Sequence, residues 1–366
     1  NHHAPYRQVL THGFTVDQQG RKMSKSLGNV IAPQKLLKTL GADIVRLWVC
    51  SADYRGEMTV SNEILDRMAD AYRRIRNTAR YLLAAIHDFD PATNSVAPAD
   101  MLAIDRWAVK RTREVQAELE EAYANYQFHQ VYQAIHHFCI VDMSSFYLDI
   151  IKDRQYTMGE DSLGRRSAQT AMYLVAEALV RWITPVLSFT ADEIWQHLPQ
   201  TLADGTARSD SVFLETWFEG LPDLAATPDD FSDADWQQVI AVRDVVSKSL
   251  EALRKDGVIG GGLDAAVTVH ASPELVDVLG KFGDELRFVF ITSTASLAPL
   301  DAKPAALETI KLDKGQVAVQ AERASGEKCV RCWHLREDTG RDASHPELCT
   351  RCVSNVDGPG EDRRIA

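Results

Sequence analysis

From Ser61 to Ile86 the sequence SNEILDRMADAYRRIRNTARYLLAAI returns an apolar side chain at three- and four-residue steps: Ile64, Met68, Ile75, Ala79, Leu82 and Ile86. At about 100° per residue these share one face of an α-helix. Arg73, Asn77 and Arg80 then fall on the opposite face, with Arg76 at its edge. Similar patterns predict long helices over roughly 99–125, 127–151 and 162–184, and SFTADEIWQHLP adds a short one. With PATNSVAP (91–98) read as a loop, this stretch is a bundle of antiparallel helical neighbours.

The flanks have a different texture. YRQVLTHGFTVDQQG alternates in the manner of short strands, and DQQG turns the chain into the loop GRKMSKSLGN (20–29). A helix follows in which Pro33 suits the first position and Leu36, Leu37 and Leu40 form the apolar face. Gly41 suits its left-handed stop, and a second helix starts at Ala42. Beyond the loop-like QTLADGTARSDS and LPDLAATPDDFSDAD, a helix covers 233–256. Then GVIGGGLDAAVTVHAS, RFVFITSTASLA and GQVAVQAE read as strands around a helix near 273–282, a small α+β unit. These changes divide the chain at 1–60, 61–258, 259–323 and 324–366.

The bulk numbers narrow the class. The chain has 366 residues, 45% hydrophobic and 25% charged, enough for two or three globular domains. No apolar run approaches the roughly 18–20 residues of a membrane span, and no export leader is evident. The chain begins at Asn1 in a segment that reads as the interior of something, so an N-terminal portion is expected before it. A net charge of −12 argues against a generally basic nucleic-acid coat. Locally the balance differs: residues 1–80 hold 13 Lys/Arg against 7 Asp/Glu, whereas 200–240 hold one Arg against nine acids. That distribution suits local binding of a polyanion.

Cys50 and Cys139 stand alone in apolar helical patterns and read as inert buried thiols. The other four cysteines form CVRC (329–332) and CTRC (349–352), separated by 16 residues. Two such knuckles bring four thiolates to one tetrahedral centre, which predicts a structural zinc with no open coordination position. Metal binding would supply the folding energy that the apolar-poor last 40 residues lack. His334 and His345 could replace a thiolate, although the spacing favours Cys329, Cys332, Cys349 and Cys352. Arg331, Arg336 and Arg351 are available there for phosphate.

Two further features carry charge. Arg73, Arg76, Asn77 and Arg80 could follow an RNA backbone or simply form a solvated face. Lys152 and Arg154, in IIKDRQY, suit either a phosphate or a helix C-terminus. In the GRKMSKSLGN loop, Gly20 and Gly28 let the backbone swing. Lys22 and Lys25 could follow a leaving pyrophosphate, and Ser24 and Ser26 could bond its oxygens or hold the loop's shape. A solvated turn accounts for the same composition.

KMSKS followed by LGN resembles the second signature of class I aminoacyl-tRNA synthetases. GADIVRLWVCSADY resembles the helix that follows it in the isoleucine, valine and leucine group. ALVRWITPVLSFTADEIWQHLP resembles the later part of that group's helical anticodon-binding domain. GEKCVRCWH and CTRCVSNV resemble the C-terminal zinc finger of bacterial-type isoleucyl-tRNA synthetases. The four occur in the family's order and cover essentially the whole chain.

The resemblance implies a mainly α chain: the end of a Rossmann-type catalytic domain, an α-helical anticodon-binding bundle, a small α+β unit and a four-cysteine zinc finger. It implies that Lys22, Met23, Ser24, Lys25 and Ser26 contact ATP, supplied with Mg2+, and that Lys22 and Lys25 stabilise pyrophosphate. It implies one Zn2+ near the RNA, with tRNA(Ile), isoleucine and ATP as partners of a cytoplasmic monomer. Arg73, Arg76, Asn77, Arg80, Lys152 and Arg154 are the candidate tRNA contacts. The family's His-x-Gly-His signature is absent from the sequence, so this chain is expected to be inactive alone. A valyl- or leucyl-tRNA synthetase shares the loop, and a non-catalytic RNA-binding zinc protein would share the bundle and finger.

Overall fold

The computed structural model describes residues 4–224 and 231–366. Residues 225–230, inside the loop expected at LPDLAATPDDFSDAD, lie outside the described residues. The chain divides into two compact units. The first holds residues 1–88, 111–144 and 173–221, and the second holds 89–110, 145–172 and 222–366.

In the first unit, Thr15–Val16 pairs in parallel with Met58–Thr59. The alternation upstream of Thr15 produces no further strand among the described residues; the backbone partners there are single bonds, from the Gly13 N–H to the Tyr54 carbonyl and from the Met58 N–H to the Phe14 carbonyl. Gly13 has a specific reason to be glycine: a Cβ there would lie 1.9 Å from the carbonyl oxygen of Gly56. Helix Pro33–Thr39 ends at Gly41, whose φ of 82° lets the chain turn into helix Ala42–Ser51. Trp48, Met58, Val60 and Leu65 form a small core on which Met23, Ile31, Leu36 and Leu40 pack.

The arginine-bearing helix runs Asn62–Ala85, capped by the Ser61 side chain on the Ile64 N–H. Its buried face includes Ile75, Ala79 and Leu82, and it packs against helices Ala42–Ser51, Phe128–His137 and Ser188–His197. At the last of these, the buried Asp43 carboxylate accepts from the Thr190 N–H (2.8 Å) and hydroxyl (2.6 Å). That contact ties two elements far apart in sequence and satisfies an otherwise orphaned helix-terminal donor.

The helix expected over 127–151 is not one regular α-helix. Phe128–His137 is α-helical, and Phe138–Tyr147 widens to a π-helix. There the Cys139 carbonyl accepts from the Ser144 hydroxyl (2.7 Å) and from Thr78 (3.3 Å), so side chains serve an acceptor of the disturbed ladder. A short helix, Pro91–Asn94, also occupies part of the expected loop, held by Asp90 accepting from the Ala92 N–H.

The second unit contains a four-stranded sheet. Its order is Thr294–Pro299, Ala265–Ala271, Gln316–Arg323, Ile310–Lys311. The first pair is parallel, with Val267 beside Ala295, and the others are antiparallel, with Val269 opposite Val319. Parallel neighbours need a crossover, and helices Pro273–Gly280 and Leu286–Phe290 lie within it. This corrects the strand expected at RFVF. A short apolar run buries equally well in either conformation, and topology decides. Helix Asp233–Lys255 starts on a capping box between Ser232 and Asp235.

Deep in this unit Arg154 and Asp105 form a bidentate pair at 2.7 and 2.9 Å, both side chains fully buried. Tyr147 and Ser167 also donate to the Asp105 carboxylate. Arg154, expected at an RNA phosphate, therefore belongs to the core: its guanidinium is spent on Asp105 and reaches no solvent. No helix among the described residues is long and apolar enough to cross a membrane.

Candidate functional sites: the lysine loop and the cysteine centre

The lysine loop leaves the strand at Val16, which bridges to Lys22. Asp17 is the fixed point. Its Oδ1 accepts the N–H groups of Gln19 (3.0 Å) and Arg21 (2.9 Å), and its Oδ2 accepts from Arg21 Nε (2.9 Å) and Asn29 Nδ2 (3.0 Å). Hydrogen bonding, first from Asn29, holds this carboxyl well below the usual carboxylate range. Across the loop, Asn29 Oδ1 accepts the Ser24 N–H at 2.9 Å, and the Ser24 and Ser26 hydroxyls meet at 3.1 Å. Gly20 and Gly28 take positive φ (71° and 68°) at the two bends.

Within this frame the side chains of KMSKS separate by chemistry. Met23 turns inward against the Trp48–Met58–Leu65 core. Lys22 and Lys25 are exposed. Lys22 Nζ rests 4.2 Å from the Phe14 ring centroid, a cation–π contact on a ring that is itself 61% exposed. The Lys25 ammonium has no ion pair or hydrogen bond among the described residues. Asp17 and Asn29 were not singled out from the sequence. The asparagine in LGN and the aspartate heading a turn carried the signal, but only folding shows that they meet.

The cysteine centre lies in the second unit. Strands Glu327–Lys328 and Leu335–Arg336 pair antiparallel and carry Cys329 and Cys332 on the connecting knuckle. Trp333 there takes a φ of 65° and donates its N–H to the Cys329 carbonyl (2.8 Å). Cys349 occupies the residue just before helix Thr350–Asp357, and Cys352 lies in its first turn. The four sulfurs lie within 4.8 Å of one another, all buried, with Cys332 and Cys349 3.8 Å apart.

A disulfide would need about 2.05 Å, whereas tetrahedral zinc with bonds of about 2.3 Å sets sulfur–sulfur edges near 3.8 Å. The thiols therefore fit one zinc ion. Hydrogen bonds with Cys332 and then Cys352 hold the Cys349 thiol below its ordinary value, and those with Cys332 and then Cys349 push Cys352 up. His345 is taken by Asp357, and the metal-competent cluster among the described residues is the four cysteines alone.

The arginines around this centre are not equivalent. Arg351 is nearly buried, bidentate to Asp153 at 2.7 and 2.8 Å, and it also bonds Glu361. Arg363 joins the same Asp153 carboxylate and stacks 3.5 Å from the Phe288 ring centroid. Arg351, expected to be available for phosphate, is a structural strut. Arg336 pairs with Asp338. Arg331 donates to the Thr157 carbonyl (3.3 Å) beside a cleft of about 390 Å³. Lys152, Tyr156 and Trp333 also line that cleft, and the two rings are 67% and 61% exposed. Neither aromatic was singled out from the sequence, where each reads as an ordinary apolar residue.

Arg73, Arg76, Asn77 and Arg80 are exposed along one helix of the first unit. Arg73 pairs with Asp70 at 2.8 Å, and Arg76 stands 3.9 Å from Glu193. Such solvent-exposed pairs are worth about 1 kcal/mol or less, so an anionic ligand can displace them. Lys152 pairs with Asp149 at 2.9 Å in the second unit.

Comparison with known proteins gives this arrangement a family. Residues 1–61 match the family described as tRNA synthetases class I (I, L, M and V). Residues 105–269 match the anticodon-binding domain of tRNA ligase, and 326–355 match the zinc finger found in FPG and IleRS. Isoleucine–tRNA ligase of Alkalilimnicola ehrlichii is 57% identical over 99% of this chain and 38% of its own length. Those of Azotobacter vinelandii and Shewanella pealeana are each 55% identical over the whole chain and 38% of theirs. The chain thus spans about 38% of the length of these curated relatives. With a match of this kind running from its lysine loop to its cysteine centre, the chain belongs to the isoleucine–tRNA ligase family of class I tRNA synthetases.

Proposed function

We propose that this chain is the lysine-loop and tRNA-docking portion of an enzyme that activates isoleucine with Mg-ATP and transfers it to tRNA(Ile). In the activation step a carboxylate oxygen of isoleucine attacks the α-phosphorus of ATP. The bond to the bridging oxygen breaks, and pyrophosphate leaves with the negative charge. Lys22 and Lys25 meet that charge as it develops, with Lys25 the principal contact. Ser24 and Ser26 hold phosphate oxygens, and Met23 keeps the loop seated. Charge matched only in the transition state lowers the barrier without tightening the ground state. The carrying observation is the separation of roles in KMSKS: Met23 half-buried against a core, and the Lys25 ammonium exposed and unengaged among the described residues.

Residues 1–60 belong in this reading to the catalytic domain, 61–258 to the anticodon-binding helices, 259–323 to a junction domain and 324–366 to the zinc module. The tRNA contacts are Arg73, Arg76, Asn77 and Arg80 on one helix. At the cleft, Lys152 and Arg331 meet phosphate and the exposed Tyr156 and Trp333 rings stack on unpaired bases. The zinc ion holds the knuckle and the short helix together, and no chemistry passes through it. The whole enzyme acts as a cytoplasmic monomer. Isoleucine-dependent exchange of pyrophosphate into ATP by the full-length protein tests the reading. Exchange supported more efficiently by valine or leucine than by isoleucine would overturn the assignment. The 366-residue chain alone is expected to show no exchange.

A further inference from the structure

The loop that carries Lys22 and Lys25 has little of its own to hold it. It belongs to no helix, Met23 is its anchor in a core, and its backbone meets the preceding strand at the single Val16–Lys22 bridge. Its shape is drawn together by two side chains that are not in the signature. Asn29 reaches across with both ends of its amide: Oδ1 accepts the Ser24 N–H (2.9 Å), while Nδ2 donates to the Lys22 carbonyl (3.4 Å) and to Asp17 (3.0 Å). Asp17, only 8% exposed, receives that bond together with three from the turn between Gln19 and Arg21. The two residues thus bind both ends of the segment between the bends.

We infer that Asp17 and Asn29 form a polar clasp that sets the conformation of the lysine loop, making them positioning residues for the charge delivered by Lys22 and Lys25. This rests on the functional reading above and adds to it a specific pair. Neither residue touches substrate in this account. They determine how far the ammonium groups travel before chemistry, and misplacement of about 1 Å can cost about 100-fold in rate. Because the clasp joins one amide to one carboxylate, its polarity is reversible. Asn29→Asp sets two anions face to face and breaks it, leaving the side-chain volume nearly unchanged. Asp17→Asn combined with Asn29→Asp restores one amide–carboxylate contact in the opposite sense, and the carboxylate then at position 29 can still accept the Ser24 N–H.

The test uses the full-length enzyme and two readouts. In pyrophosphate exchange, Asn29→Asp is expected to lower kcat by about 100-fold with KM for isoleucine unchanged. The double variant should recover at least about tenfold of that loss, the coupling expected of groups in direct contact. Trypsin cleavage after Lys22 and Lys25 reads loop mobility without any chemistry: faster in Asn29→Asp, restored in the double variant. Equal cleavage of wild type and Asn29→Asp, or a double variant no better than the single in both readouts, overturns the clasp. A wild-type enzyme without isoleucine-dependent exchange overturns the functional reading instead, and the cleavage comparison still decides the clasp.

Discussion

The lysine loop and the cysteine centre are both short, glycine-containing segments rich in reactive side chains, yet they are held in opposite ways. Around the loop, one apolar side chain and a single layer of hydrogen bonds restrain exposed cations. Around the centre, four thiols are buried, and Asp153 draws Arg351 and Arg363 onto one carboxylate. In the proposed reading the difference follows from what each does with charge. A group that must meet a charge appearing during reaction is useful while it stays solvated and unpaired. A group that must fix a fold is useful once desolvated and fully partnered. Local composition hardly separates the two, whereas burial and partnering do.

The sharpest break of that comparison is metal removal. With apparent zinc-binding energies of about 10–16 kcal/mol in finger peptides, chelation or Cys349→Ser should unfold the 324–366 module. Metal analysis should fall from one zinc to none, and hydrogen-exchange protection should vanish at the Trp333 and Val353 amides, which are bonded to cysteine carbonyls. Protection that survives without metal would show that the ionic struts suffice. Next in size is the buried pair: Asp105→Ala leaves Arg154 charged and alone, at a cost of about 3–5 kcal/mol, measurable by denaturant unfolding. Lys25→Ala in the full-length enzyme should then cost about 100- to 1,000-fold in exchange rate, with tRNA affinity unchanged. A comparable loss in tRNA affinity would mean that the loop is an RNA contact and not a phosphate one. Smallest is Arg80→Ala, expected to weaken tRNA binding uniformly and reduce the salt slope by about 1; an unchanged slope leaves Arg80 in solvent.

Much of this was readable from residue order because it rests on local rules. The three- and four-residue period placed the arginine helix, Pro33 and Gly41 bounded a short one, and the two knuckles gathered four thiols that the fold does bring together. What escaped depends on distant partners. RFVF is helical because two parallel strands need a crossover. The turn widens at Phe138 where Thr78, some sixty residues earlier, supplies a hydroxyl. Arg154 and Arg351 look like any basic residue until Asp105 and Asp153 are brought against them. The Asp17–Asn29 contact is of the same kind, two ordinary turn residues whose meeting across the loop no periodicity records.

The seating of Met23 has a mechanical consequence. Packed at that one interior tooth and gathered on both sides of it by the Asn29 amide, the segment keeps its two cations at a set spacing. In the proposed reading the two charges swing onto a nucleotide together, and lengthening or shortening the arm on either side of Met23 would throw them out of step.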